Sequence, residues 1–244
     1  MRSTQLLTLL PFPGPRIPEI VAGLTPARDD VGATVDMGAP GAWLHHLTPR
    51  PDDSPWRAHW IRQVHGRVVL AVGKCDPVGA TGTADALVTD QPGVLLVTRH
   101  ADCAPVLFWD PHSRALGLAH SGRRGTLAYI VAAVITALSE SYGTLPRDLQ
   151  VSIGAGIRAC CYEIQEDVAS EVRAVTGGEY LTQQHGGIYF DGPRMIADQC
   201  RAAGVEHVYG ALDGECTCCG TSRHFSYRRD GTPQRFAAIA GIPS

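Results

Sequence analysis

The chain predicts an α/β fold of the mixed α+β kind, arranged as one layered domain. Three observations lead there. Short β-branched and apolar runs alternate with segments of helical periodicity, without the strict regularity of a doubly wound sheet. The composition, 44% hydrophobic and 18% charged, supplies a substantial core and lies far from a disordered chain. No internal repeat, low-complexity tract or shift of composition divides the 244 residues, so 1–244 reads as a single domain.

Residues 11–55 are rich in Pro and Gly and read as loops and edge strands, a divergent N-terminal part. Trp56 to Arg62 reads as a helix, followed by the β-branched run Arg67 to Val72. Ala84 to Thr89 and Val94 to Thr98 read as strands. Val106 to Trp109 and Ala115 to Ala119 read as a strand pair around the turn Asp110-Pro111-His112-Ser113. Thr126 to Tyr142 carries apolar residues at helical spacing and stops at Gly143. Val151 to Ile153 and Val205 to Gly210 read as strands. Glu163 to Val175 and Arg194 to Ala203 read as helices, the second closed by Gly204.

Several function classes are disfavoured at once. A formal net charge of −3 and a pI near 6.3 lack the basic footprint of bulk nucleic-acid binding, although a few arginines suffice for a small anion. No apolar run reaches the roughly 18 residues of a membrane span. The start, Met1 to Leu10, lacks the apolar stretch and small-residue cleavage site of a secretory signal. The chain therefore reads as cytoplasmic, with its eight cysteines reduced.

Chemistry concentrates in the first half. His65 lies in Gln63-Val64-His65-Gly66, Cys103 in Ala101-Asp102-Cys103-Ala104-Pro105, and His120 in His120-Ser121-Gly122-Arg123-Arg124-Gly125. Two imidazoles and a thiolate make a three-ligand set with a fourth zinc position open, as catalytic zinc sites have. The same residues also make a cysteine nucleophile with histidine bases. His100 is a second base or an alternative ligand, and Asp102 is placed to orient an imidazole. His120 ends a strand just before a helix start, where backbone N–H groups together with Arg123 and Arg124 favour an anion.

Further along, Gly154-Ala155-Gly156-Ile157 precedes Cys160-Cys161-Tyr162-Glu163, a glycine turn that permits close backbone approach without completing a dinucleotide fingerprint. Cys216-Thr217-Cys218-Cys219 offers clustered thiols for a second metal or a disulfide, but no partner C-x-x-C completes a four-cysteine site, so a structural turn is the favoured reading. In Phe225-Ser226-Tyr227-Arg228-Arg229-Asp230-Gly231, arginines beside aromatics suit phosphate or a stacked base, and equally a salt-bridged surface turn.

Together these motifs resemble the laccase-domain family, also called multicopper polyphenol oxidoreductases and described as purine nucleoside phosphorylases. The resemblance runs from about Trp60 to the C-terminus. It rests on Gln63 to Gly66, Ala84 to Asp90, Ala101 to Pro105, His120 to Gly125, Gly154 to Ile157 with Cys160 to Glu163, Cys216 to Cys219, and Phe225 to Gly231, in that order. It implies an α/β/β/α-type layered fold similar to certain bacterial toxin cysteine hydrolases. It also implies a zinc site on His65, Cys103 and His120, with copper the metal of the older family label. The implied activity is phosphorolysis of a purine nucleoside to free base and ribose 1-phosphate, with adenosine deamination and methylthioadenosine phosphorolysis as associated activities.

On that basis the catalytic set is Cys103, His120, His65 and Asp102, with Arg123, Arg124 and Arg228 binding phosphate or substrate. The rival readings are a metal-free cysteine hydrolase or transferase, a copper-dependent phenol oxidase, and a non-catalytic binding protein. Three departures from the family pattern bear on the substrate. Arg123 stands in place of a tryptophan, Ala155 in place of a proline, and Val35-Asp36-Met37-Gly38 in place of a more regular N-terminal signature.

Overall fold

The computed structural model describes residues 8–28, 34–38, 55–221 and 223–244. The first seven residues, within the Met1 to Leu10 start, lie outside it, as do 29–33 and 39–54 of the Pro- and Gly-rich part.

In chain order the strands are β1 (Val21–Leu24), β2 (Arg57–Arg62), β3 (Val69–Ala71), β4 (Gly79–Thr83), β5 (Ala86–Thr89), β6 (Val94–His100), β7 (Ala104–Asp110) and β8 (Ala115–Ser121). Helices α1 (Arg123–Leu127) and α2 (Ile130–Tyr142) follow, then β9 (Gln150–Ile153), β10 (Glu163–Ile164) and α3 (Glu166–Thr176). The chain continues through β11 (Leu181–Gln184), β12 (Gly187–Phe190), α4 (Gly192–Ala202), β13 (His207–Tyr209), the single turn α5 (Tyr227–Asp230) and β14 (Phe236–Gly241).

A five-stranded mixed sheet, ordered β1-β14-β6-β2-β4, faces a six-stranded mixed sheet, ordered β13-β9-β7-β8-β5-β3; a small β10-β12-β11 sheet stands apart. The pleat explains why the central strands are apolar on both sides. On β7, Leu107 and Trp109 join Leu96 and Phe236 in the core between the two large sheets. The alternate residues Val106 and Phe108 pack instead with Ile130, Val134 and Ile196 of α2 and α4. The outer face of the five-stranded sheet, with Ala58, Leu95, Val97 and Ile239, packs on Leu9, Val35 and Met37.

The mixed, layered α/β expectation is met, and several elements are revised. Trp56 to Arg62 is a strand. Trp56, Ala58 and Trp60 share one apolar cluster, a period of two, and pairing with β4 and β6 on either side outweighs helix propensity. The expected helix from Thr126 is two helices, broken where Tyr129 adopts a left-handed conformation (φ 61°). Helix α3 begins at Glu166 because Glu163 and Ile164 pair with β12. Strands β4, β11, β12 and β14 had no clear sequence signal. The most consequential is β14, an Ala- and Gly-rich segment that runs between β1 and β6.

Candidate metal centre

Three strand ends and one loop converge at one edge between the two large sheets. Cys103 sits in the tight turn from β6 to β7, His120 near the end of β8, and His65 in the loop after β2. A ring nitrogen of each histidine and Cys103 Sγ lie within 4.8 Å of one another, and the two imidazoles meet edge to face with centroids 4.8 Å apart.

Asp85 builds this arrangement. It is fully buried just before β5, and its carboxylate accepts from the backbone N–H groups of Val64 (3.2 Å), His65 (2.9 Å) and Gly66 (2.6 Å). These bonds hold the His65 loop, where His65 itself takes a positive φ of 60°. The same carboxylate accepts from His120 Nδ1 at 2.9 Å. A carboxylate only accepts, so Nδ1 carries the proton and Nε2 is left to serve as a ligand or base. Burial opposes ionisation of Asp85, yet the His120 and backbone hydrogen bonds outweigh it and hold the carboxyl below its ordinary value.

The electrostatics suit a thiolate. Burial alone would raise the Cys103 thiol. The His120 charge and hydrogen bonds from both histidines bring it down to about 6. Burial likewise disfavours a charged His120, but the Cys103 thiolate and Asp85 raise that ring to about 9. Two nitrogen donors and a thiolate, one imidazole fixed by a carboxylate behind it, form a donor set suited to zinc. Gly122 makes the close approach possible, since a Cβ there would lie 2.7 Å from Cys103 Sγ and 2.9 Å from His65 Cδ2.

The cluster opens into a cavity of about 610 Å³, within the ordinary range for small-molecule sites. Its lining includes Ile157, Tyr162, Phe190 and Ile196, together with Arg99, Arg123, Arg228 and Arg235. Arg228 stacks its guanidinium 5.4 Å from the Tyr162 ring centre and donates to the Glu163 carbonyl oxygen at 2.9 Å. Arg123 pairs with Glu171 of α3. Arg99 donates to the Gly38 carbonyl oxygen at 2.8 Å, and partial burial followed by repulsion from Arg235 lowers its pKa.

The structure thus gathers His65, Cys103, His120, Asp102, Arg123 and Arg228, and leaves others out. Arg124 is exposed and does not line the cavity. Helix α1 places its side chain outside that lining. His100 is buried, with Nε2 against Thr98 Oγ1 (2.8 Å) and Nδ1 against the Cys103 carbonyl oxygen (3.0 Å). Burial first, then the His120 charge, holds its pKa well below the ordinary value. Both ring nitrogens are engaged within the fold, and the ring does not line the cavity.

Asp102, at a positive φ of 92°, accepts from Thr217 Oγ1 (2.7 Å), Ser226 Oγ (2.6 Å) and the Arg228 N–H (2.7 Å). These three bonds tie the later loops to the Cys103 turn. Sequence reasoning missed Asp85, Arg99 and Arg235. For Asp85 a signal existed, a lone carboxylate inside the apolar stretch Ala84-Asp85-Ala86-Leu87-Val88. The two arginines carried none.

A two-sheet α/β fold with a His₂Cys cluster that can hold a metal at the mouth of a cavity defines the class of protein. The chain belongs to the multi-copper polyphenol oxidoreductase laccase family, whose model matches residues 48–243. It is 34% identical over 210 residues to purine nucleoside phosphorylase ORF3 of Streptomyces griseus, covering 85% of this chain and 83% of that protein. It is 33% identical over 196 residues to purine nucleoside phosphorylase YlmD of Geobacillus stearothermophilus, covering 75% and 72%. The crystal structure of YlmD from that organism superposes with a TM-score of 0.78 at 27% identity, covering 98% of this chain and all of the other. Among the described residues, no helix is long and apolar enough to cross a membrane.

Proposed function

We propose that this chain is a purine nucleoside phosphorylase with a zinc ion held by His65, Cys103 and His120. The observation that carries the reading is the opening of the His₂Cys cluster onto a cavity lined by both aromatic residues and arginines. The names of the curated relatives support it. Zinc with an open position supplies Lewis-acid polarisation of a substrate oxygen.

The chain's own residues do the rest. Asp85 keeps the His120 proton on Nδ1. Tyr162 and Phe190 offer flat and apolar surface to a purine. Arg99, Arg228 and Arg235 take the phosphate, with guanidinium geometry that suits its oxygens; Arg124 has no part in this set. A phosphate oxygen bonds to C1′ of the ribose, the glycosidic bond breaks, and its electron pair leaves on the base nitrogen, which takes up a proton. Asp102 positions the Arg228 turn. Adenosine deamination and methylthioadenosine phosphorolysis belong to the same reading, because both begin with a purine in this cavity. So does a cytoplasmic setting, where phosphate is at hand and the thiols stay reduced.

The test is turnover of adenosine, inosine and methylthioadenosine with and without phosphate, with bases and ribose 1-phosphate read by chromatography. Phosphate-dependent base release that vanishes in Cys103→Ala is expected. A folded, zinc-loaded protein that releases no base from any of the three would refute the reading. Metal analysis of the same sample decides between zinc and copper, which accepts the same donors.

One observation favours a second reading. Asp85, His120 and Cys103 stand in the order of an orienting acid, a base and a nucleophile. A metal-free cysteine hydrolase or transferase would keep its activity in chelator and lose it to iodoacetamide.

A further inference from the structure

A second thiol cluster lies outside this cavity's donor set. Cys160 and Cys161 end the glycine turn after β9, and Cys216 and Cys219 span the turn before α5. Their four sulfur atoms lie within 4.8 Å of one another, with Cys160 and Cys219 at 3.5 Å. All four thiols are free. We propose that Cys160, Cys161, Cys216 and Cys219 form a closed tetrathiolate site for a zinc ion, separate from the His65, Cys103 and His120 centre.

The geometry supports four ligands rather than a chance gathering. Zinc–sulfur bonds of about 2.3 Å in a tetrahedron place sulfurs about 3.8 Å apart. The present spacing brackets that distance and closes with small side-chain shifts. The backbone preforms the cradle. Gly156 and Cys216 are bridged as parallel strands, and the Gly220 N–H closes the 216–219 turn on the Cys216 carbonyl oxygen at 2.8 Å. The Cys161 and Tyr162 N–H groups bond the Arg158 carbonyl oxygen at 2.9 and 2.8 Å, which fixes the turn that carries the vicinal pair.

Four thiols this close have little else to do. Three of them are partly or fully exposed, so they do not pack as a core. Cys218, inside the same turn, stays out of the cluster. The partner that the sequence lacked as a C-x-x-C is supplied by the vicinal pair Cys160-Cys161, brought up by the fold.

The site would act by holding structure. With four protein sulfurs it has no open position for a substrate. It joins the segment that supplies Ile157 and Tyr162 to the cavity wall to the turn whose Thr217 grips Asp102 beside Cys103. A metal there would fix the distance between these walls, and its binding energy would add to folding.

The experiment is a metal count on the full-length protein purified under reducing conditions, with cobalt exchanged for zinc. The wild type should hold a second equivalent of zinc. Cys103→Ala should lose one equivalent and keep the other, and Cys219→Ser should do the converse. Cobalt in the Cys103→Ala protein should show the intense sulfur charge-transfer bands of four thiolates. These readouts need no turnover, so the proposal stands or falls independently of the phosphorylase reading. A wild type holding a single equivalent that Cys103→Ala removes overturns it. So does a Cys160–Cys219 disulfide, or four thiols all alkylated by iodoacetamide in the zinc-loaded wild type. Should Cys219→Ser fail to fold, the count and spectrum of the wild type and Cys103→Ala still decide.

Discussion

The two thiol clusters differ in donors, depth and outlook. His65, Cys103 and His120 mix nitrogen with sulfur, lean on a buried carboxylate, and face a cavity rimmed by arginines. Cys160, Cys161, Cys216 and Cys219 offer sulfur alone, have no carboxylate in the cluster, and sit on two hydrogen-bonded backbone turns. The first leaves a coordination position and a space for something to react; the second surrounds whatever it binds. The difference teaches that cysteine count says little about chemistry. What matters is whether the fourth direction from the cluster meets protein or cavity.

The largest expected effect breaks the first cluster outright. Cys103→Ala removes its only thiolate, so the metal of this cluster and turnover should both be lost while the second cluster keeps its zinc; retained turnover would show that the cluster is not the working site. Gly122→Ala is next and more telling, because it changes no ligand. The added methyl would lie 2.7 Å from Cys103 Sγ, closer than atoms tolerate, so metal content and activity should fall together while the second cluster keeps its zinc. An unchanged metal count in Gly122→Ala would mean that the ligands are not drawn together as described.

Asp85→Asn tests the carboxylate behind the histidines. The shape is kept, but an amide cannot accept from His120 and three backbone N–H groups together, and one of its two edges now donates. Loss of such a support typically costs 10- to 100-fold in metal affinity or activity, about what is expected here. Buried donors left unpaired should also lower the melting temperature, each costing about 1–3 kcal/mol. Zinc affinity by competition titration checks the first expectation and thermal unfolding the second. Wild-type affinity in a destabilised variant would make Asp85 a purely structural residue.

The contrast between the clusters was half legible in the sequence. The runs that became β6, β7 and β8 could be read because burial on both faces demands unbroken apolar residues between turn formers. Strand β14 could not, since Ala and Gly carry little strand preference and only its neighbours make it a strand. Trp56 to Arg62 was misread because a six-residue alternation competes with helix formers until its partners are known. The His₂Cys set was readable because its residues sit at strand ends beside glycine turns and match a family pattern. Arg99 and Arg235 were not, because where an arginine points is decided by which strands neighbour one another, here β6 and β14. The four-thiol cluster was hidden because its halves lie far apart in sequence and one of them is a vicinal pair rather than C-x-x-C.

The smallest effect bears on what the first cluster faces. Arg99 and Arg124 stand at matched formal charge, yet only Arg99 lines the cavity. Its pKa is lowered, by burial first and then by Arg235 nearby, a cost that an anion placed between the two guanidinium groups would relieve. Arg99→Ala should therefore raise the KM for phosphate by about tenfold, the loss of one charge-assisted contact of about 1.5 kcal/mol, with a smaller change in the KM for nucleoside. Arg124→Ala should leave both constants as they are. Steady-state kinetics at fixed ionic strength separates the two. If Arg124→Ala weakened phosphate and Arg99→Ala did not, the anion would sit at the start of α1 and the arginine rim of the cavity would have another use.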